Sequence, residues 1–273
     1  LSAVSLATQV QFVHNLFMLA LTIGATTLAA QYWGKGDTDS VEEILAIVLK
    51  ISMAVSFVFF AAAMFLPGSL MRIFTDDPEL IRAGIPYLRI VSASYLFLGF
   101  SQIYLCIMKN SGRTPRSTVY GSVAVVINII LNAVFIFGLF GAPKLGATGV
   151  AIATALSRLV QLLACVIVSI LSKDVKLNPA YMFLRSKVLF HDFIRLSLPA
   201  LGNDLSWSVA FSMYSVILGH LGTDAVAANS LVIVVRNIGS VFCFAIASAG
   251  TILLGQIMGK GDLEKSKKYA SRM

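Results

Sequence analysis

Long apolar runs separated by short polar segments dominate the pattern of this 273-residue chain. A helix needs about 20 mostly apolar residues to cross the roughly 30 Å hydrocarbon core of a bilayer. No run alternates between apolar and polar residues as a barrel strand would, and backbone groups in lipid must be satisfied within the segment. The pattern therefore predicts an all-α, polytopic membrane protein. Seven runs reach the required length, at about 3–32, 44–66, 84–108, 118–140, 146–171, 193–219 and 226–257.

Short connections with turn-forming residues separate these runs. Residues 34–37 read Gly-Lys-Gly-Asp and end the first run, because glycine often ends a helix. Ser40 and Glu43 have the spacing of a capping box, which predicts that Ser40 caps the second helix. The longest connection, at 173–192, is charged and indicates a linker. The expected domains are an N-terminal lobe with five helices at 1–172, this linker, and the first two helices of a C-terminal lobe at 193–273.

The composition supports a lipid environment. Hydrophobic residues make up 58% of the chain and charged residues only 12%, whereas soluble domains carry about 25% charged residues. The three cysteines lie within apolar runs without a CxxC motif, so we expect them to be small buried residues. The histidines form no HxxxH or HExxH motif. The sequence therefore predicts no metal site and no cofactor.

The distribution of positive charge predicts the orientation in the membrane. The net charge of +8 does not indicate nucleic-acid binding, because no aromatic-basic surface accompanies it. Most Lys and Arg residues fall on one side of the predicted topology, together with the turns at 34–37 and 259–262. Cytoplasmic loops carry such an excess. We therefore expect a multi-pass protein of the bacterial inner membrane with both turns in the cytoplasm.

An internal repeat relates the two ends of the chain. Residues 31–37 read Gln-Tyr-Trp-Gly-Lys-Gly-Asp, and residues 256–262 read Gln-Ile-Met-Gly-Lys-Gly-Asp, 225 positions later. Six predicted spans fall within this period, and an even number returns the chain to the same side of the membrane. Parallel repeats of this kind are related by an axis along the membrane normal and occur in transporters that rock two lobes around a cavity. The sequence therefore predicts two side-by-side helical lobes.

Three segments resemble the multidrug and toxic compound extrusion (MATE) family. The first is the Gln-x-x-Gly-Lys-Gly-Asp turn, which is present twice. The second, at 115–154, contains Asn-Ile-Ile-Leu-Asn at 128–132 and Gly-Ala-Thr-Gly-Val-Ala-Ile-Ala-Thr at 146–154. The third begins with Leu-Pro at 198–199 and ends with Ala-Val-Ala-Ala-Asn at 225–229. The resemblance covers nearly the whole chain and implies a piece truncated at both ends, with about helices 2 to 8 of twelve.

The resemblance implies a function in secondary active transport. A member of this family is expected to export organic, often cationic, compounds by antiport with protons or sodium ions. It is not expected to be an enzyme. Its partners are expected to be a small organic substrate and membrane lipid, and the complete protein is expected to be a monomer that does not bind nucleic acid.

The resemblance also implies an ion or substrate site in the N-terminal lobe. The positions that match the family's motif are Asn128, Asn132 and Thr154. Asn132 stands where many members have Asp, and an amide cannot release a proton, so this sequence departs from the family's pattern there. Asn128 and Asn132 are four residues apart and share a helix face. A structural hydrogen bond between membrane helices is the alternative role for such residues.

Asp204 is the only acidic residue deep within a predicted span. A charge at mid-bilayer costs about 2.5–3.5 kcal/mol on insertion scales, so such residues usually face a cavity or an ion path. The segment Asn203-Asp204-x-x-Trp207 places the acid and an aromatic ring on one helix face. We hypothesise that Asp204 binds the coupling ion or an organic cation, with Asn203 and Trp207 beside it. The alternative is a structural ion pair between Asp204 and Arg236.

Arg158 is a basic residue within the fifth run, four positions after Thr154. It could balance an acid on another helix or repel a substrate of like charge, and it is therefore a candidate binding residue. The alternative is an arginine whose long side chain reaches the nearer membrane interface.

Two other functions compete with efflux. A flippase for lipid-linked oligosaccharides or peptidoglycan precursors would have a similar lobed architecture, but it needs a strongly cationic cavity for a pyrophosphate. Only Arg158 and Arg236 are basic residues deep within the predicted spans, beside one acid. An integral membrane enzyme is the third alternative, but no Ser-His-Asp or paired-carboxylate arrangement appears. The sequence therefore favours an efflux transporter.

Overall fold

The computed structural model describes residues 2–139, 145–171, 181, 186–220 and 223–271. Within these residues the chain forms helices and no strand, which confirms the all-α prediction. The helices are α1 (Ser2–Lys35), α2 (Thr38–Phe65), α3 (Pro67–Arg72), α4 (Pro78–Asn110), α5 (Thr114–Phe137), α6 (Gly146–Leu171), α7 (Lys187–His220), α8 (Thr223–Gly259) and α9 (Leu263–Ala270).

Each of the seven predicted runs corresponds to a long helix. Six of the described helices are long and apolar enough to cross a membrane by length and composition, namely α1, α2, α4, α5, α6 and the part of α8 at Val235–Gly259. The predicted run at 193–219 corresponds to α7, which is not among the six. This helix contains Asp192, Arg195, Asn203 and Asp204, which lower its hydropathy.

The boundary between the predicted lobes is described only in part. Residues 172–180 and 182–185, which form most of the predicted linker at 173–192, lie outside the described residues. The helix α7 begins at Lys187, so its first turn falls within the segment that the sequence assigns to the linker. The division into 1–172, 173–192 and 193–273 therefore stays a prediction.

The centre of the bundle is formed by α1, α2 and α4. Apolar side chains such as Leu45, Tyr104 and Ile107 are buried there, and Cys165 of α6 and Phe193 of α7 pack against the same core. Many apolar side chains on α5 and α8 are exposed on the surface of the bundle. Such a surface fits contact with lipid or further helices, because large apolar patches are rare on soluble monomers.

The first connection differs from its prediction in one detail. The cap of α2 is Asp37, whose carboxylate accepts hydrogen bonds from the Ser40 backbone N–H at 3.1 Å and from Ser40 Oγ at 2.7 Å. The prediction of Ser40 as the cap was therefore wrong. The helix begins at Thr38 because Asp37 stands directly before it in a non-helical conformation and can reach its first free N–H groups. These bonds hold the pKa of Asp37 below its usual range.

The two copies of the repeated turn have the same local structure. Gly36 and Gly261 adopt left-handed backbone angles, with φ of 82° and 80°, which glycine adopts without steric cost. Asp262 caps α9 as Asp37 caps α2, accepting a hydrogen bond from the Lys265 backbone N–H at 3.1 Å. The repeat is therefore present in the structure as well as in the sequence.

The ends of α1 and α8 pack directly against each other beside these turns. A Cβ atom added to Gly34 would overlap the backbone carbonyl of Gln256, and one added to Gly259 would overlap that of Gln31. These two contacts are reciprocal, because Gly34 and Gln31 precede Gly259 and Gln256 by the same 225 positions. The turns therefore lie at the same end of the bundle, which confirms the parallel repeat.

Candidate substrate and ion site

A cavity of about 770 Å³ opens between α1, α4, α5, α6 and α8. Its volume lies in the range that accommodates drug-sized ligands. It is nearer to the C-terminal ends of α1, α4 and α8 than to their starts. Its polar side chains are Thr22, Thr26, Gln102, Lys109, Asn110, Ser117, Thr118, Ser122, Arg158, Gln161, Ser248 and Thr251.

The charged groups in this lining are both positive. Lys109 lies at the end of α4 and Arg158 in the middle of α6, and no Asp or Glu is among the described residues that line the cavity. Arg158 Nη1 donates a hydrogen bond to Gln161 Oε1 at 2.8 Å. Gln161 is buried, so its amide holds the guanidinium at the cavity wall. Arg158 is therefore half-buried in the bundle and lines the cavity.

An amide cluster between α5 and α6 contains the residues that the family motif selects. Asn132 Nδ2 donates to Asn128 Oδ1 at 3.0 Å, and Asn128 Nδ2 donates to Ser157 Oγ at 3.2 Å. Ser157 Oγ donates in turn to the backbone carbonyl of Thr154 at 2.9 Å. The structure thus brings Asn128 and Asn132 together and connects them to α6.

Thr154 takes part in this cluster through its backbone carbonyl. Its hydroxyl donates to the carbonyl of Val150 in its own helix at 2.9 Å, so it is the serine one turn later that reaches Asn128. Ser157 was not among the site residues predicted from the sequence. The spacing of three between Thr154 and Ser157 places them on the same helix face, which is the signal that could have identified it.

One oxygen in the amide cluster has no hydrogen-bond partner. Asn132 Oδ1 is buried and unpaired within the part of the chain that the structure describes. A buried amide oxygen without a partner is unfavourable by about 1–3 kcal/mol. It is also a free oxygen ligand of the kind that hard cations prefer. Ser157 of the cluster and Arg158 of the cavity wall are consecutive in α6, so the same helix contributes to both sites.

Asp204 lies on α7, away from the described lining of the cavity. One of its carboxylate oxygens, Oδ2, is buried and has no hydrogen-bond partner in the described structure. The side chain of Asn203 forms a hydrogen bond with the carboxylate. Ser197, two residues before Pro199 in the same helix, packs closely on Gly24 of α1.

The alternative ion pair between Asp204 and Arg236 is absent from the described residues. The Arg236 guanidinium lies over the ring of Phe211, 4.5 Å from its centre. Trp207 also packs against Phe211, with 4.4 Å between the centres of the two rings. Trp207 therefore belongs to an aromatic and cationic stack, and it remains 60% exposed.

A second polar group is buried among α1, α2 and α4. His14 is fully buried, and its Nε2 lies 3.0 Å from Ser56 Oγ. The rings of Phe59 and Tyr95 contact the imidazole, each with 5.1 Å between ring centres. Among the described residues, no group of three or more His, Cys, Asp or Glu side chains is placed to hold a metal ion.

The comparisons with known proteins agree on one family. The family model described as MatE matches residues 1–134 and 199–273. The chain is 25% identical over 268 residues to a probable multidrug resistance protein NorM from Thermotoga maritima, covering 97% of this chain and 57% of that protein. It is also 25% identical over 268 residues to the multidrug resistance protein NorM of Vibrio cholerae, covering 96% and 58%.

A solved structure shows the same fold. It is described as the outward-facing conformation of a multidrug resistance MATE family transporter, and it superposes with a TM-score of 0.87 at 23% identity. The match covers 98% of this chain and 59% of that one. The chain thus spans somewhat more than half the length of the relatives it matches. Because the family model matches most of its residues and its helices form the family's fold, the chain is a multi-pass membrane protein that belongs to the MATE family.

Proposed function

We propose that the whole protein is a secondary active transporter that exports organic compounds by antiport with sodium ions or protons. The observation that carries this proposal is the juxtaposition on α6 of a drug-sized cavity and an amide cluster with an unpaired buried oxygen. A transporter couples two ligands, and it needs neighbouring sites whose occupancies influence each other. Here α6 contributes to each site, with Ser157 in the amide cluster and Arg158 in the cavity wall.

We assign different ions to the two predicted sites. The amide cluster of Asn128 and Asn132 offers neutral oxygens, so it suits a sodium ion and cannot release a proton. Asp204 has an ionisable group with an unpaired oxygen, so it suits a proton, a sodium ion or an organic cation. In this proposal, cationic substrates are recognised by Asp204, with Asn203 holding the carboxylate.

The proposal includes the placement of the protein in the cell. The protein resides in the bacterial inner membrane as a monomer, with the turns at 34–37 and 259–262 in the cytoplasm. The excess of Lys and Arg on this side supports the orientation. The cavity then lies in the cytoplasmic half of the bundle, where an exporter collects its substrate. The protein transports its substrate without chemical change and needs no cofactor.

A second candidate function is supported by the charge of the cavity. A flippase for lipid-linked pyrophosphates requires cationic side chains in its cavity, and the structure adds Lys109 to Arg158 in one lining. A flippase would have the same lobed architecture, but it would not need an ion to bind at the amide cluster. We place it second because the family relatives are described as multidrug resistance proteins.

Efflux from proteoliposomes separates these functions. The whole protein is reconstituted, loaded with ethidium, and given a sodium gradient or a proton gradient separately. We expect at least one ion gradient to drive ethidium across the membrane in the direction opposite to the ion flow. This ethidium movement should stop when the gradient is dissipated. Ethidium movement that neither gradient changes would contradict antiport. Empty liposomes with the same gradients provide the control.

A further inference from the structure

The cavity between α1, α4, α5, α6 and α8 has a charge opposite to that expected of a site for organic cations. We propose that it binds the oxyanionic group of a ligand, a carboxylate or a phosphate, and that Arg158 is the residue that recognises this group. The inference rests on the proposed transport function for the movement of the ligand, and it adds an anionic substrate class at this cavity to the cations assigned to Asp204.

The position of Arg158 is fixed by the protein. A guanidinium has five N–H donors in a planar fork and matches an oxyanion with two parallel hydrogen bonds. One donor nitrogen, Nη1, is held by Gln161 at 2.8 Å. The bond to Gln161 is the one that the described residues give to its side chain, and Arg158 lines the cavity, where the other donors of the fork can meet a ligand.

A second positive charge reinforces this preference. Lys109 extends from the end of α4 into the same lining and is exposed there. A cation in this cavity would meet two positive groups without a described carboxylate to balance them. Juxtaposed like charges exclude the wrong ligand as effectively as new contacts attract the right one. The arrangement therefore selects oxyanions and disfavours cations.

The remaining wall suits an amphipathic organic molecule. Hydroxyl groups of Thr26, Ser122 and Thr251 supply neutral hydrogen-bonding groups, while Leu105 and Val126 supply apolar surface. About 770 Å³ is much more than an inorganic anion needs. The ligand class is therefore an organic compound with one oxyanionic end. A soluble carboxylate and the pyrophosphate of a polyprenyl lipid are two sources of the same chemistry.

Binding of two matched dyes to the whole protein in lipid nanodiscs tests the proposal. Carboxyfluorescein and rhodamine 123 share a xanthene core but carry opposite charge, and fluorescence anisotropy reports their binding without an ion gradient. We expect Arg158→Gln to weaken carboxyfluorescein binding about tenfold or more, because charge-assisted hydrogen bonds are lost. Rhodamine 123 binding should be unchanged or tighter, because the variant removes one of the two positive charges that disfavour a cation. Competition experiments distinguish the two sources of the ligand. If the ligand is a polyprenyl pyrophosphate, farnesyl pyrophosphate should displace carboxyfluorescein far more effectively than benzoate does.

Two further variants control for charge and folding. Arg158→Lys keeps the charge but loses the fork, so it should weaken carboxyfluorescein binding less than Arg158→Gln does. Arg236→Gln removes the other arginine deep within a predicted span, which lies over Phe211 outside the cavity, and should have no effect. Equal loss of both dyes in Arg158→Gln would overturn the proposal. So would a wild-type protein that binds neither carboxyfluorescein nor farnesyl pyrophosphate while Arg158→Gln lowers its melting temperature, because Arg158 would then pair with an acid of the protein itself.

The proposed function fails in a different way. Because binding is measured without a gradient, arginine-dependent binding with no gradient-driven transport would leave the oxyanion site in place and remove the antiport. Gradient-driven ethidium export without carboxyfluorescein binding would do the reverse.

Discussion

Two polar sites in the bundle, the amide cluster on α5 and α6 and the acid on α7, differ in how their polar groups are satisfied. Asn128, Asn132 and Ser157 form a chain of hydrogen bonds that leaves one neutral oxygen unpaired. Asp204 has one hydrogen-bond partner and an ionisable oxygen without any. The amide cluster is neutral and cannot ionise, whereas the carboxyl group of Asp204 can gain or lose a proton. Only the second can carry a proton.

In the proposed function, this difference gives the amide cluster and Asp204 separate tasks. A neutral site binds an ion by replacing its hydration shell, and its occupancy adds a charge to the lobe. An acid in a membrane is stable only when it is neutralised by a proton, an ion or a cationic substrate. Competition among these at Asp204 would produce exchange, because the site is released only when another partner takes over.

The largest effect is expected for Asp204→Asn. The amide preserves the shape and the hydrogen bond to Asn203 but removes the ionisable group, so gradient-driven ethidium efflux should fall about tenfold or more. The measurement is ethidium efflux from proteoliposomes of the whole protein. Asp192→Asn changes an acid at the start of the same helix and should transport normally. Equal rates for Asp204→Asn and wild type would refute the assignment.

The next effect concerns the contact that holds the two lobes together beside the turns. Gly259→Ala places a methyl group on the carbonyl of Gln31, and such overpacking costs about 1–3 kcal/mol. We expect the ends of α1 and α8 to separate in a larger fraction of molecules. Spin labels at the exposed positions Lys35 and Lys260 of a cysteine-free protein would report longer distances.

A glycine elsewhere in the same helix provides the control for this contact. Gly239 has open space around its Cβ position, so Gly239→Ala should leave the distance distribution between the labels unchanged. If Gly259→Ala gives the wild-type distribution as well, the packing of Gly34 and Gly259 does not determine how close the lobes lie.

A smaller effect is expected when the acid is moved from one lobe to the other. Asn132→Asp in the Asp204→Asn background gives the amide cluster an ionisable group next to Asn128. We expect efflux to recover a few-fold and to become dependent on external pH, because a carboxyl group can exchange a proton and an amide cannot. The measurement is the efflux rate between pH 5.5 and 8. A double variant with the flat pH profile of Asp204→Asn would mean that the cluster plays no part in coupling.

The smallest effect is expected for Ser157→Ala. The substitution removes the acceptor of Asn128 Nδ2, and a hydrogen bond between membrane helices contributes about 0.6 kcal/mol. We expect the apparent sodium affinity to fall about threefold, measured by sodium-dependent efflux. Ser94→Ala, which removes a buried hydroxyl bonded within α4, should leave the affinity unchanged. A similar loss in both variants would indicate a general effect on stability.

The arrangement of helices could be predicted from the sequence because it depends on features that are local. Apolar runs of sufficient length form helices in lipid regardless of their neighbours, and the repeated turn shows that two such helices run in the same direction. The cap of α2 was mispredicted because the choice between Asp37 and Ser40 depends on the backbone conformation of one residue. That conformation is not encoded in the capping-box spacing.

The composition of the cavity could not be predicted in the same way. Soluble helices reveal their buried face through an apolar stripe, but membrane helices are apolar on all sides. Which faces meet is therefore hidden, and so Gln102, Lys109 and Gln161 were not selected. Arg158 and the pair of Asn128 and Asn132 were selected because polar residues in a membrane span are rare. Their partners became visible only in three dimensions.

Proton release from the purified whole protein tests the central claim most directly. In weakly buffered detergent solution, the addition of sodium or ethidium should displace about one proton per molecule from the wild type, as expected for one acid that exchanges its partner. The account predicts no release from Asp204→Asn and undiminished release from a variant with both Asn128 and Asn132 changed to alanine. Release that persists in Asp204→Asn and disappears when the amides are removed would contradict it.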